Sequence, residues 1–283
     1  MQAIQFFNGK FVPKESITFS IDDVGVLRGF GIFDYFKVYN GAPAFMEAHL
    51  NRFESSARLL GMEIPFSRNE IETAIFKIIK HNEFPLSGVK VLMTGGASPD
   101  GFSAGKPNLV ITNTAVSETN PLFYAEGVSV MTHQFTREMP QVKTTNYATA
   151  VRLEPIWKQK GHIDVLYHDG EYISEVSRSN VFLVEENKLI TNEEGVLPGI
   201  TRMNVVNLAP QLGFKVEVRP IALSEVLAAQ EVFITSTNKK VMPVVKIDDQ
   251  EIADGKVGAK SKLLMEGYAK LLAEETKQPS FQN

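Results

Sequence analysis

Segments with strand character and segments with helical character occur in clusters along this chain, and they do not alternate strictly. Residues 33–39 are rich in β-forming side chains, and Asn40-Gly41 follow them as a hairpin turn. At residues 47–61 the pattern changes, because apolar side chains now recur at helical spacing. Such clustering disfavours a regular βα-repeat and predicts an α+β fold with mixed sheets in two domains.

The length of 283 residues fits one large domain or two smaller ones. Residues 116–125 show no clear period and contain an Asn-Pro pair, which is typical of a connecting segment. We therefore predict an N-terminal α+β domain at 1–115, an interdomain linker at 116–125 and a C-terminal α/β domain at 126–283.

The composition excludes several classes of protein. The chain has no cysteine, which excludes a disulfide scaffold, a thiolate metal site and a cysteine nucleophile, and its five histidines show no metal-ligand spacing. No charge-free stretch reaches 18 residues and the N-terminus lacks a signal-peptide pattern, so we expect a cytoplasmic protein without a membrane partner. A net charge of −4 without basic blocks argues against nucleic acid as a partner.

Two segments have the composition of a phosphate site. Residues 198–202 precede a helical pattern; Thr201 is expected to cap that helix, and a helix start offers N–H groups to an anion. Residues 235–238 follow a strand and carry hydroxyl groups that could donate to phosphate oxygens. A plain capped helix and an ordinary loop with local turn bonds remain open as alternatives.

Four charged residues stand at positions that suit chemistry, although each has a simpler interpretation. Lys143 lies among hydroxyl and amide side chains and suits a Schiff-base lysine, or it is a solvated lysine. Glu175 separates two strands, where it has a functional role, faces solvent or pairs with Arg178. Arg28 could bind a carboxylate with two hydrogen bonds, and Arg52 lies off the apolar stripe of its helix; exposure explains both as well.

Taken together and in order, six segments resemble the fold-type IV pyridoxal-phosphate enzymes, the class-IV aminotransferases. That family includes branched-chain aminotransferases, D-amino acid transaminases and aminodeoxychorismate lyases. The segments are residues 28–34, 49–57, 142–147, 169–182, 197–202 and 236–244. The resemblance covers nearly the whole chain and implies the two-domain D-amino acid aminotransferase-like fold, with most of the pyridoxal 5'-phosphate site in the C-terminal domain.

The resemblance also implies a role for each matching residue. Lys143 is expected to carry the cofactor as a Schiff base and to shuttle the proton at the substrate Cα. Glu175 is expected to contact the pyridine nitrogen, so that the ring acts as an electron sink. Tyr147 could reach the phenolic oxygen, although it follows Lys143 by four residues where branched-chain enzymes have five. The phosphate-binding positions are Arg52, Ile200, Thr201, Ser236 and Thr237.

The chain departs from the family pattern around the substrate. Phe30 replaces a usual aspartate, Phe33 stands where many members have tyrosine, and the loop from Thr94 lacks the arginine and histidine of well-known D-amino acid transaminases. Arg28 and Arg178 are unusual near this site, and we hypothesise that they bind the substrate carboxylate together. The predicted substrate-binding residues are thus Arg28, Phe33, Thr94 and Arg178.

The expected activity is transfer of an amino group between an amino acid and an α-keto acid, with a D-amino acid or a branched-chain L-amino acid as donor. Two alternatives stay open: an aminodeoxychorismate lyase-like enzyme, and a non-catalytic protein that binds pyridoxal phosphate or another phosphate ligand. The family likeness further implies a homodimer with the site at a domain and subunit interface, to which Arg28 could come from the partner chain.

Overall fold

The computed structural model describes residues 2–277. Its α-helices are α1 (Val24–Arg28), α2 (Met46–Leu59), α3 (Arg68–Asn82), α4 (Leu122–Ala125), α5 (Ala148–Gln159), α6 (Ile200–Leu208), α7 (Leu223–Ala228) and α8 (Ala259–Glu275). Its strands are β1 (Ile4–Phe7), β2 (Lys10–Pro13), β3 (Gly31–Tyr39), β4 (Ala42–Pro43), β5 (Leu86–Thr94), β6 (Asn108–Ala115), β7 (Val128–Gln134), β8 (Asp164–His168), β9 (Ile173–Val176), β10 (Asn180–Glu185), β11 (Lys188–Thr191), β12 (Lys215–Val218), β13 (Glu231–Ser236), β14 (Lys240–Ile247) and β15 (Gln250–Glu251).

The first of two compact units contains residues 2–117, Val142–Asn146 and residues 274–277. Its sheet has six antiparallel strands in the order β2-β1-β6-β5-β3-β4. Helices α2 and α3 pack on this sheet because each carries an apolar stripe at helical spacing. The core they enclose includes Ile32 and Phe36 of β3 and Phe53 of α2, all fully buried.

Local sequence signals set the ends of the two long helices in the first unit. The Ser67 side chain accepts from the Glu70 backbone N–H while the Glu70 carboxylate accepts from the Ser67 N–H, a capping box that begins α3. Gly61 adopts a φ of 66° just after α2, in the left-handed region that favours glycine. Both features follow directly from the local sequence.

The second unit contains Glu118–Gln141 and Tyr147–Ala273. Its sheet has nine strands in the order β12-β11-β10-β13-β14-β7-β8-β9, with β15 paired to β14. The pairs β11/β12, β14/β7 and β7/β8 are parallel and the others antiparallel. This mixed sheet, with the antiparallel sheet of the first unit, confirms the predicted α+β class.

Residues 142–146 belong to the first unit, whereas the sequence analysis placed them in the C-terminal domain. The physical reason is backbone pairing, since Thr144 forms an antiparallel bridge with Ile32 and the Phe33 N–H donates to the Lys143 carbonyl at 2.9 Å. Within the predicted linker the chain forms the short helix α4. The boundaries at 115 and 126 stay predictions.

None of the helices among residues 2–277 has both the length and the apolar character that a membrane span requires. Within the same residues, no group of three or more acidic, histidine or cysteine side chains is arranged to hold a metal ion.

Candidate active site

The backbone around Lys143 is held against β3 in the first unit. Besides accepting from Phe33, Lys143 donates its N–H to the Ser56 hydroxyl at 3.3 Å, and the Thr145 N–H donates to the Gly31 carbonyl at 2.9 Å. A Cβ on Gly31 would lie 3.1 Å from the Thr145 hydroxyl oxygen, so glycine favours this close pairing. Lys143 therefore sits on a short, paired segment with a fixed backbone.

The Lys143 ammonium lies over the ring of Phe33, with its Nζ 4.7 Å from the ring centroid. At this distance an ammonium group and an aromatic ring form a cation–π contact. Phe33 occupies the position at which many members of the resembled family have tyrosine. The ring thus contacts the lysine itself, and its predicted contact with substrate stays a prediction.

Arg52 lies in a buried ion cluster with Asp34 and His49. Its Nε donates to Asp34 Oδ2 at 2.8 Å and its Nη2 donates to Asp34 Oδ1 at 2.8 Å, which is a two-pronged guanidinium–carboxylate pair. His49 Nδ1 lies 2.7 Å from Asp34 Oδ1. The simple interpretation of Arg52 as a solvated helix residue is wrong, because Asp34 is fully buried beside it. Its role in phosphate binding stays a prediction.

The charges of this cluster are fixed by burial and pairing. Burial alone would raise the pKa of Asp34, but Arg52 and His49 outweigh burial and lower that pKa below its usual range. Burial lowers the pKa of His49, and the positive charges of Arg52 and Lys143 lower it further, against the opposing effect of Asp34. The cluster therefore contains an ionised carboxylate and a neutral imidazole at neutral pH.

Helix α1 presents Arg28 at the surface of the first unit. Asp23 caps the helix by accepting from the Gly25 N–H at 2.7 Å, and Asp23 also accepts from the buried Thr94 hydroxyl at 2.6 Å. The neighbouring Val26 side chain is 60% exposed although it is apolar. Thr94 therefore anchors the helix that carries Arg28, and its direct contact with substrate stays a prediction.

Glu175 of β9 is the buried carboxylate of the second unit's site. Its Oε1 lies 2.7 Å from Nη1 of Arg137, and its Oε2 accepts from the Leu197 N–H at 3.0 Å. Arg137 also donates to the Pro140 carbonyl at 3.2 Å. The alternatives of a solvent-facing Glu175 and of a Glu175–Arg178 pair are wrong, because Glu175 is buried and pairs with Arg137, whereas Arg178 lies near Asp164. This arrangement leaves a carboxylate that can accept a hydrogen bond from a protonated ring nitrogen.

The N-terminus of α6 follows the loop that carries Leu197. Gly199 is its N-cap, and no side chain among the described residues caps it; Thr201 lies inside the helix, so the expectation that Thr201 caps it is wrong. A Cβ on Gly199 would lie 1.9 Å from Asn180 Oδ1, so only glycine fits there. The first N–H groups of α6 are thus suited to a phosphate.

The end of β13 lies beside the same strand as Asn180. Asn180 pairs with Thr235 in the antiparallel register, which brings residues 235–237 to the end of the sheet where α6 begins. The Thr235 hydroxyl is buried and has no hydrogen-bond partner within residues 2–277. Ser236 accepts from the Lys239 N–H at 3.2 Å. An uncapped helix start next to a buried, unpaired hydroxyl fits a phosphate group, although Ser236 and Thr237 as its ligands stay predictions.

Arg178 stands at the tip of a tight turn between β9 and β10. The turn is closed by two backbone hydrogen bonds between Val176 and Ser179, of 2.9 and 3.1 Å. Ser177 and Ser179 are buried, whereas the Arg178 side chain is 57% exposed. Its nearest acidic partner in the described chain is Asp164, with Nη2 3.7 Å from Oδ2. The turn therefore displays one guanidinium group from an otherwise buried segment.

Tyr147 is the N-cap residue of α5 in the second unit, and its ring packs against the cluster that contains Tyr167 and Trp157. Burial raises the pKa of Tyr167, and nearby negative charges, including Asp164 and Glu175, act in the same direction, against Arg137. The contact of Tyr147 with a phenolic oxygen stays a prediction.

Sequence reasoning missed four residues of these clusters: Asp34, Arg137, Asp164 and Lys239. Asp34 was available from the pattern, because a charged residue inside the apolar strand 31–39 is unusual in a core. Arg137 and Lys239 lie in loop sequences with no period, and nothing local points to their buried partners. Their roles depend on contacts between segments about 38 and 75 residues apart.

With this geometry established, comparison with known proteins defines the class. Residues 31–247 match the family described as amino-transferase class IV, and the chain belongs to that family. Enzymes of this class depend on pyridoxal phosphate, so the chain is a pyridoxal-phosphate-dependent aminotransferase.

Several named proteins are similar over nearly their full lengths. D-alanine aminotransferase of Staphylococcus epidermidis is 28% identical over 275 residues, which cover 94% of this chain and 97% of that protein. A putative branched-chain-amino-acid aminotransferase of Methanocaldococcus jannaschii is 29% identical, covering 93% and 94%. The crystal structure of a branched-chain amino acid aminotransferase from T.th. with pyridoxamine 5'-phosphate is 25% identical with a TM-score of 0.90, covering 99% and 97%.

Proposed function

We propose that this chain is a D-amino acid transaminase, in which Arg178 binds the α-carboxylate of the substrate together with Arg28. The observation that carries the proposal is the turn at 176–179, which buries its other side chains and exposes Arg178 three residues after Glu175. A guanidinium group binds a carboxylate through two parallel hydrogen bonds. The loop after Thr94 offers no arginine or histidine that could replace it.

The cofactor-binding residues are proposed from the resemblance and from the donors that fit it. Glu175 accepts a hydrogen bond from the protonated ring nitrogen, and Arg137 keeps the charge of Glu175 compensated. The N–H groups at Ile200 and Thr201 bind the phosphate; Arg52, Ser236 and Thr237 complete its ligands. When bound, the cofactor withdraws electrons from the substrate Cα.

Lys143 is proposed to act on the proton at the substrate Cα. Its backbone is fixed by pairing with β3, so the amine moves only through its own side-chain torsions. A fixed amine would be able to take the proton from the substrate Cα and give it up again at the other carbon bonded to the amino nitrogen, which is the transfer that transamination requires. Tyr147 is assigned to the phenolic oxygen of the cofactor.

We further propose that the protein acts as a homodimer and that a partner copy provides Arg28. Three apolar side chains are largely exposed: Ile21 at 79%, Val26 at 60% and Phe102 at 80%. The segments that carry them are joined by the Asp23–Ala97 bridge, so we place the three side chains on one surface. A second copy that covers this surface would bury the apolar side chains. Arg28 of one copy would then reach the active site of the other. We also propose that the protein is located in the cytoplasm.

The first test is a visible absorption spectrum of the protein with bound pyridoxal phosphate, before and after D-alanine, D-glutamate, L-leucine and L-glutamate are added separately. The expected result is that only the D-amino acids bleach the visible band. Bleaching only by the L-amino acids would favour a branched-chain aminotransferase, the activity printed for one of the similar proteins and one of the similar structures. A band that none of the four bleaches would favour the lyase, and no band at all would overturn the cofactor assignment.

The role of Arg178 is tested with the same spectrum as a titration. Arg178→Ala is expected to raise the D-alanine concentration needed for half-bleaching by about tenfold or more, because the bond to a charged carboxylate is lost. Arg58→Ala is the control, because Arg58 is an exposed arginine of α2; this variant should leave the titration unchanged. An unchanged Arg178→Ala titration would contradict the proposal.

A further inference from the structure

A buried ion cluster lies directly beneath the turn that displays Arg178. Asp164 at the start of β8 is fully buried. Its Oδ1 accepts from the Val165 N–H at 2.9 Å and from the Ser177 hydroxyl. Its Oδ2 lies 2.7 Å from Nζ of Lys239 and 3.7 Å from Nη2 of Arg178. Two cations of different reach thus share one buried carboxylate.

Lys239 is the cation that satisfies Asp164. Its Nζ donates both to Asp164 Oδ2 at 2.7 Å and to the Ser179 hydroxyl at 3.1 Å, and its side chain is only 14% exposed. Arg178, at 3.7 Å, lies beyond hydrogen-bond distance of the same oxygen. The lysine therefore has the short contact, and the arginine keeps a mostly exposed guanidinium.

The consequence follows from the cost of an unpaired buried charge. A fully buried carboxylate requires a counterion, because its desolvation is otherwise uncompensated. Without Lys239, the counterion in reach of Asp164 would be Arg178, whose Nη2 needs to move by less than about 1 Å to hydrogen-bond with Oδ2. A guanidinium that pairs with Asp164 would no longer be available to a ligand.

We propose that Lys239 is a positioning residue for substrate recognition: by occupying Asp164, it leaves the Arg178 guanidinium to bind the substrate carboxylate. This inference rests on the proposed function, in which Arg178 is the carboxylate ligand. Lys239 touches neither substrate nor cofactor in this account; it acts through Asp164. The affinity for amino acid substrates thereby depends on whether Lys239 or Arg178 pairs with Asp164.

The test is Lys239→Met in the enzyme with bound pyridoxal phosphate. The expected result is a KM for the amino donor about tenfold higher or more, with kcat at saturating donor changed by less than about threefold, because binding and not chemistry is affected. Lys239→Arg retains a cation beside Asp164, so its KM should equal that of the original protein. Lys240→Met is the matched control, since Lys240 pairs with the exposed Glu118 and should leave KM unchanged.

A second variant separates positioning from folding. Asp164→Asn combined with Lys239→Met removes the charge that captures Arg178, so KM should return to within about threefold of the original value. A high KM that persists in the double variant would mean that Lys239 acts only on the structure of the turn, and the inference would be wrong.

A third readout does not depend on activity. Phenylglyoxal reacts with accessible guanidinium groups, and mass spectrometry of the peptide that contains Arg178 measures the rate. Lys239→Met should slow this modification by about threefold or more relative to the original protein; an unchanged rate would overturn the inference. Arg178→Ala could leave KM unchanged while Lys239→Met still slows the reaction of Arg178 with phenylglyoxal. In that case the proposed function fails, but the conclusion that Lys239 keeps Arg178 away from Asp164 stands.

Discussion

Each unit of this protein buries an aspartate beside two basic side chains, but the two clusters arrange these partners differently. In the first unit Asp34 holds Arg52 through two hydrogen bonds of 2.8 Å, and His49 is the second partner. In the second unit Asp164 holds Lys239 at 2.7 Å and keeps Arg178 at 3.7 Å. The first arrangement fixes an arginine inside the core, whereas the second leaves an arginine exposed.

The comparison shows two uses of a buried carboxylate. It can hold an arginine inside the core, or it can pair with a lysine and leave a nearby arginine exposed. Arg52 has a fork of donors that matches a carboxylate, so it binds Asp34 with defined geometry. Lys239 is a compact point charge, which neutralises Asp164 without using an arginine. Variants at corresponding positions of the two clusters can therefore test whether the contrast is real.

The largest effect is expected for Asp34→Ala. This change leaves the buried Arg52 without its carboxylate, and breaking a buried pair in this way costs about 3–5 kcal/mol of unfolding free energy. Urea denaturation followed by circular dichroism measures it. Asp249→Ala, at a fully exposed carboxylate, should leave the urea midpoint unchanged. A loss below about 1 kcal/mol at Asp34 would remove the first half of the comparison.

The same substitution at the two arginines should affect the stability of the fold differently. Arg52→Met is expected to lower the unfolding free energy by about 3 kcal/mol, because Asp34 then stays buried without its main counterion. Arg178→Met should leave the urea midpoint nearly unchanged and affect amino acid binding instead, since its side chain is exposed and Lys239 already satisfies Asp164. Equal losses of stability at both positions would show that the two clusters are equivalent.

The smallest effect concerns the neutral imidazole of the first cluster. Burial lowers the pKa of His49, so below pH 6.5 the unfolded chain binds a proton that the folded chain does not. The unfolding free energy should therefore fall as the pH drops from about 7 towards about 5. His49→Gln should reduce this slope. An identical slope in the variant and the original protein would mean that His49 titrates alike in both states.

Much of the fold was predictable from local sequence. The Ser67–Glu70 capping box and Gly61 set the ends of the helices in the first unit, and the strands 180–185 and 188–191 are short apolar runs separated by a turn at residues 186–187. Strand β14 was not predicted, and it contains Pro243, a residue that is disfavoured inside strands. Tertiary pairing with β13 and β7 decides that element, and no local signal reports such pairing.

The sequence allows site residues to be predicted, but it does not reveal their electrostatic partners. Lys143, Glu175 and Thr201 were identified from the family resemblance. Arg137 as the partner of Glu175 and Asp34 as the partner of Arg52 could not be derived, because each pair joins different elements of the chain. Residue roles follow motifs, whereas electrostatic partners follow the three-dimensional packing.

The return of residues 142–146 to the first unit has a consequence for synthesis on the ribosome. Val142 is 1% exposed within the core of that unit, so the first 117 residues lack part of the core they need. The nascent chain must reach residue 146 before this unit can complete its packing, and Lys143 arrives in the same step. The candidate catalytic amine is therefore placed by the event that closes the core around β3.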